Sequence, residues 1–136
     1  MCTDRLMVDT QETDVRVLLP PTPDSPAAAR DAMGRFAGLV GEEILENLRL
    51  IVSELVTNTY RHAAMRGDER LEVRAGLRDG VLRLEVQDPG SGFASPTEPT
   101  PHAESGWGLY LVDHIADRWG VNRGRFTEVW AELDVG

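Results

Sequence analysis

Between Leu71 and Val86 the chain spells out a β-hairpin. Leu71, Val73, Ala75 and Leu77 alternate with polar residues, Asp79-Gly80 is a strong two-residue turn signal, and Leu82, Leu84 and Val86 resume the alternation. The next residue in that register is Asp88. A carboxylate at the end of a strand, sharing the parity of three core-facing residues, sits in a pocket and needs a donor. That is an unusual place for a charge, and it marks the position for chemistry.

Val15 to Leu19 is branched and apolar and predicts a strand, broken by Pro20-Pro21-Thr22-Pro23. Ser25 followed by Pro26 suits an N-cap and first helical position, and Ala29, Met33, Phe36 and Val40 give that helix one apolar face up to Gly41. A second helix runs from Glu42 to about Ala64, with Leu45, Leu48, Ile51, Val52 and Leu55 on its inner side. After the hairpin, residues 94–105 are rich in Pro, Thr, Ser and Glu and read as a lid-like loop. A third helical pattern starts at Leu109, just past Gly106-Trp107-Gly108, and two strands close the chain at 119–122 and 126–133. Helices on one face of a mixed, mostly antiparallel sheet form an α/β (α+β) two-layer sandwich. The working division is a flexible segment at 1–14 and one domain over 15–134.

Composition excludes several classes. The 136 residues suffice for one ordinary core but not for two typical domains. Acidic residues outnumber basic ones by 23 to 14, a net charge of −9, and the basic residues are scattered, which argues against direct nucleic-acid binding. Cys2 alone makes neither an intrachain disulfide nor a multi-cysteine metal site. With no signal-peptide pattern and no apolar run of membrane-spanning length, the expected location is the cytoplasm, without membrane contact.

Three places carry chemistry. On the second helix Glu54 and Asn58 are one turn apart and point the same way, with Cβ atoms about 5–6 Å from each other. An Asn oxygen is a neutral, hard ligand suited to Mg²⁺, which keeps waters and phosphate oxygens as its other ligands; a Glu beside it can orient or deprotonate a nucleophile. The second place is Asp88-Pro89-Gly90-Ser91-Gly92, where a buried carboxylate can accept from an exocyclic amine such as that of adenine and Gly90 and Gly92 allow a flat ligand to approach the backbone. The third is Gly106-Trp107-Gly108 at a helix opening, where free N–H groups favour phosphate. Each alone has an ordinary structural explanation: a polar helix edge, a tight turn, a helix start.

Their order and spacing are more specific. Ser53-Glu54-Leu55-Val56-Thr57-Asn58, then Asp88-Pro89-Gly90-Ser91-Gly92-Phe93, then Gly106-Trp107-Gly108-Leu109-Tyr110-Leu111-Val112 resembles the GHKL (histidine-kinase-like) ATPase superfamily. Within it, the short chain and its first motif look most like the anti-sigma-factor serine/threonine kinases. The resemblance spans about Val15 to Leu133 and implies the Bergerat ATP-binding fold. It makes Asn58 the Mg²⁺ ligand, Glu54 the general base and Asp88 the acceptor of the adenine amino group. It further implies that Gly90 and Gly92 line the base, that Gly106, Gly108 and Leu109 cradle phosphates, and that Thr127 helps Asp88 hold adenine. Thr127 shares parity with Val129, Ala131 and Leu133 and is expected to face inward.

The chain also departs from the family pattern. Phe126 stands where a Gly commonly precedes the Thr, Thr59 stands where a small Ala usually follows the Asn, and Trp107 stands where relatives often carry Arg. No Lys or Arg occurs from Phe93 through Asp117. Two functions fit these residues. One is an Mg–ATP-dependent serine/threonine kinase that binds a sigma-like factor and phosphorylates an anti-sigma-factor antagonist; the other is an ATP-gated protein-binding module. A homodimer is compatible with either.

Overall fold

The computed structural model describes residues 14–62, 65, 67–88, 104–124 and 126–135. The expected flexible segment, apart from Asp14, and the expected lid, apart from its last two residues, lie outside these.

Strand β1 is Asp14–Leu19 and helix α1 is Ser25–Ala32, followed by a 3₁₀ turn at Met33–Phe36. The long helix α2, Glu42–His62, leads to β2 (Leu71–Arg78) and β3 (Val81–Gln87); helix α3, Glu104–Ile115, leads to β4 (Arg118–Arg123) and β5 (Thr127–Asp134). The sheet order is β1-β2-β3-β5-β4. Every neighbouring pair is antiparallel, where a mixed sheet was expected. The reason is that β3 and β4, which run parallel and are joined through α3, are not neighbours: β5 lies between them and hydrogen-bonds to both.

The β2–β3 turn is the two-residue type expected, with Asp79 at φ 56° and Gly80 at φ 76°. Helix α1 differs from its expectation at both ends. Ser25 is its first helical residue, not its cap, because its hydroxyl turns back to donate to the Pro20 carbonyl, and Asp24 takes the cap position without a side-chain bond. The helix also stops at Ala32 instead of continuing to Val40. Gly34 weakens it there, and at Gly38, with φ 84°, the chain is left-handed. Met33 and Phe36 nonetheless stay fully buried.

The core lies between the helices and one face of the sheet. Leu48, Ile51, Val52, Leu55 and Val56 of α2 meet Leu71 and Val73 of β2, Leu82, Leu84 and Val86 of β3, and Ala131 and Leu133 of β5. The opposite face carries charge. Arg16, Glu72, Arg74, Glu85, Arg83, Glu132, Arg118 and Asp134 form an unbroken chain of alternating sign across all five strands. Its central contacts are Arg83 to Glu85 at 2.8 Å and to Glu132 at 2.9 Å. Arg83 also sits 4.5 Å from the ring centroid of Trp130, and that ring lies over Gly120 on β4.

Gly120 has no room for a side chain, since an added Cβ would fall 2.9 Å from three atoms of the Trp130 indole. Gly120→Ala is expected to lower stability by about 1–3 kcal/mol in urea unfolding, and a second change, Trp130→Val, to recover most of the loss.

The charged face also sets an acid limit. Burial pushes Glu85 up, but the Arg83 hydrogen bond and the fields of Arg74 and Arg83 outweigh it and hold its carboxyl below the ordinary value. Hydrogen bonds from Arg118 and then Arg83 lower Glu132, and Arg118 lowers Asp134. Carboxyls lowered in the folded state contribute stability that is full above their unfolded values, 4.5 for Glu and 3.8 for Asp, and that disappears as pH falls through the folded ones. Arg83→Met is therefore expected to cost up to about 1 kcal/mol at neutral pH, with the gap from the parent closing toward about pH 3. A gap that stays constant across the pH series, read by urea unfolding at each pH, would assign the effect to packing on Trp130.

Candidate functional site

Two flanks of α2 are distinguished by what packs on them. Helices α1 and α3 both pack against α2 while hardly touching each other, so they sit on opposite sides of it. The α1 side is fixed by Arg30, which donates to the Ser53 hydroxyl at 2.7 Å. Glu54 is a further 100° round the helix, and Asn58 is one turn beyond it. Both are half-buried, on the flank away from α1.

Asp88 is where the hairpin register placed it, directly after β3 and only 3% exposed. Its backbone N–H donates to the Thr127 carbonyl at 3.0 Å, extending by one step the β3–β5 ladder that ends with Gln87 opposite Glu128. Asp88 and Thr127 are therefore cross-strand partners with the parity of Val86 and Val129, and Thr127 is half-buried. By the same register Leu71, fully buried, lies on the other side of Asp88. Phe126 precedes β5, is 43% exposed and does not interrupt the pair.

This end of the sheet also receives α2. The helix ends at His62 and the chain re-enters the sheet at Leu71, the start of β2, so α2 runs toward the sheet end that carries Leu71, Asp88 and Thr127. Within α2, Thr59 donates its hydroxyl to the Leu55 carbonyl at 2.8 Å. Sequence reasoning gave Thr59 no role. The available signal was a hydroxyl in line with Leu55 and Val56, at spacings of four and three.

Helix α3 begins at Glu104, earlier than the expected opening at Leu109, so Gly106 and Gly108 lie within its first five residues. Glycine's poor helix propensity hid the early start. The first N–H groups of a helix have no intrahelical acceptor; here those of Glu104, Ser105 and Gly106 are among them, and Trp107, Gly108 and Leu109 follow. Leu109 and Val112 are buried in the core. Gly90 and Gly92 lie outside the described residues. The structure thus brings Asp88 together with Thr127 at one sheet end, Glu54 together with Asn58 on one flank of α2, and packs α3 against that helix. Among the described residues no helix is long and apolar enough to cross a membrane.

An acceptor carboxylate in a lipophilic corner, an amide oxygen one turn from a glutamate, and a helix N-terminus can between them hold an amino-bearing base, a metal-bound polyphosphate and a hydroxyl nucleophile. Residues 19–133 match the model of the histidine kinase-like ATPase domain. The serine-protein kinase RsbW of Listeria innocua is 27% identical, the match covering 79% of this chain and 78% of that protein. The serine-protein kinase RsbW of Listeria monocytogenes is also 27% identical, and that of Oceanobacillus iheyensis 24%, with the same coverage.

Proposed function

Because the chain belongs to the histidine kinase-like ATPase domain family, we propose that it binds Mg–ATP and is a serine/threonine-protein kinase of the anti-sigma-factor type, with a sigma-like factor and an antagonist protein as its partners. The observation that carries this reading is the pairing of Glu54 with Asn58 on one flank of α2, in a chain whose relatives are serine-protein kinases.

Each residue then has one task. The Asp88 carboxylate accepts a hydrogen bond from the adenine amino group, and Thr127 beside it completes that end of the site. The N–H groups of the first turn of α3, Gly106 among them, face the phosphates, where the helix dipole favours negative charge. Gly90, Gly92, Gly108 and Leu109 shape the surroundings of base and phosphates. The side-chain oxygen of Asn58 fits Mg²⁺ because it is hard, neutral and half-buried. When bound with ATP, the metal supplies neutralisation of phosphate charge. Glu54 takes the proton of the acceptor hydroxyl, directly or through one water, as that oxygen attacks the γ-phosphorus, the bond from that phosphorus to the bridging oxygen breaks and ADP leaves.

A second reading is favoured by one observation: no Lys or Arg occurs from Phe93 through Asp117, although phosphoryl transfer usually draws on cationic stabilisation. In that reading ATP only sets the shape presented to a partner protein.

Asn58→Ala is expected to weaken Mg–ATP binding while leaving metal-free ATP binding nearly unchanged, because the amide reaches the nucleotide through the metal alone. Calorimetry with and without EDTA measures both, and equal losses would remove Asn58 from the metal. Glu54→Gln keeps the size and hydrogen bonding of the side chain but not its basicity. It is expected to bind Mg–ATP and the protein partner as the parent does, while phosphate transfer to a cognate antagonist falls by about 10²-fold or more. If the parent transfers no phosphate to its antagonist yet holds its partner with different affinity in ATP and ADP, the switch reading replaces the kinase.

A further inference from the structure

Helix α3 is pinned at its C-terminal end by the chain itself. Only Ala116 and Asp117 separate Ile115 from the first residue of β4. The Ala116 N–H donates to the Val112 carbonyl at 2.8 Å, the Asp117 N–H donates to the Glu132 carbonyl at 2.9 Å, and the Asp117 side chain accepts from the Asp134 N–H at 2.7 Å. These bonds fix where α3 ends on the sheet. They do not fix the direction in which it points.

Direction needs a second support. Leu109 and Val112 seat α3 in the core, and the helix packs on α2, but apolar contact is non-directional and tolerates tilt and rotation. Trp119 adds a directional contact. It pairs with the buried Ala131 across the β4–β5 ladder, so it lies on the inner face of β4, packed against the core. Its ring N–H donates to the Asp113 carboxylate of α3 at 2.7 Å. An indole has one donor and no acceptor, so the bond holds Asp113 to one place. The stack of Tyr110 on His114, with centroids 4.5 Å apart, is internal to α3 and cannot orient it. From Asp113 back to Gly106 the helix runs about 10 Å, a length over which a tilt at one end displaces the other.

We propose that Trp119 is a positioning residue for the phosphate end of the nucleotide site: its bond to Asp113 sets the direction of α3, and with it the place of the N–H groups of Glu104, Ser105 and Gly106. Trp119 itself touches no nucleotide. The base end is built separately by Asp88 after β3 and Thr127 on β5, so the bond governs affinity for the phosphates and not for the base. The inference rests on the ATP-binding reading given above and assigns its phosphate contact a support outside the site.

The test measures Mg–ATP and adenosine affinity by calorimetry for the parent, Trp119→Phe, which keeps an aromatic ring without the N–H, Asp113→Ala, the double variant, and Asp113→Asn, which keeps an acceptor oxygen without the charge. Trp119→Phe and Asp113→Ala are each expected to weaken Mg–ATP binding about three- to tenfold, the scale of one hydrogen bond, and to leave adenosine within about twofold. Combined, they lose no more than either alone. Asp113→Asn stays within about twofold of the parent for both ligands. Equal losses for ATP and adenosine, losses that add in the double variant, a loss in Asp113→Asn as large as in Asp113→Ala, or no loss at all would overturn the proposal and leave Trp119 as a packing residue. A parent that binds neither ligand would instead overturn the ATP-binding reading itself.

Discussion

The pairing of β3 with β5 is the constraint on which the other features depend. The two strands are far apart in sequence, and the chain between them must leave the sheet, form α3 against α2, and return as β4 before β5 can insert between β3 and β4. That insertion makes every neighbouring pair antiparallel and sets Asp88 beside Thr127, with the Asp88 N–H on the Thr127 carbonyl. Register is strict because one face is buried: a slip of one residue would turn Val86, Val129 and Asp88 to the wrong side. The sheet end that carries Asp88 and Thr127 is thus produced by the same hydrogen-bond ladder that closes the core.

The sheet is covered on one side only, and its two faces follow different physics. The inner face is apolar and packed against α2, whose burial supplies the main driving force. The outer face is held by arginines and carboxylates that bridge neighbouring strands. Each such pair is worth little in water. Their joint effect is to give the arginines and carboxylates of the uncovered face partners from the same chain.

Much of this was legible in the sequence because it rests on short-range periodicity. The hairpin, its turn at Asp79-Gly80, the buried position of Asp88 and the apolar stripe of α2 all follow from periods of two or 3.6. Thr127 was placed by parity alone, and the ladder bears that parity out. Where glycine intervened, the local signal misled: Gly34 ended α1 early, while Gly106 and Gly108 concealed the first turn of α3. The charge network could not have been read at all. Arg83 and Glu132 share a face, but which carboxylate an arginine meets depends on β5 lying beside β3, and strand order is not written in local composition.

The placement of two indoles gives the molecule its own optical reporters. Trp119 lies at the start of β4, half-buried, and its ring N–H donates to Asp113 of α3 at 2.7 Å. Trp130 lies on the outer face, wedged between Arg83 and the bare backbone of Gly120. Movement of α3 would change the hydrogen bond and polarity felt by the first indole while leaving the second undisturbed. Once Trp107, the third indole of the chain, is replaced by Phe, emission from Trp119 records the seating of α3, and emission from Trp130 provides an internal baseline.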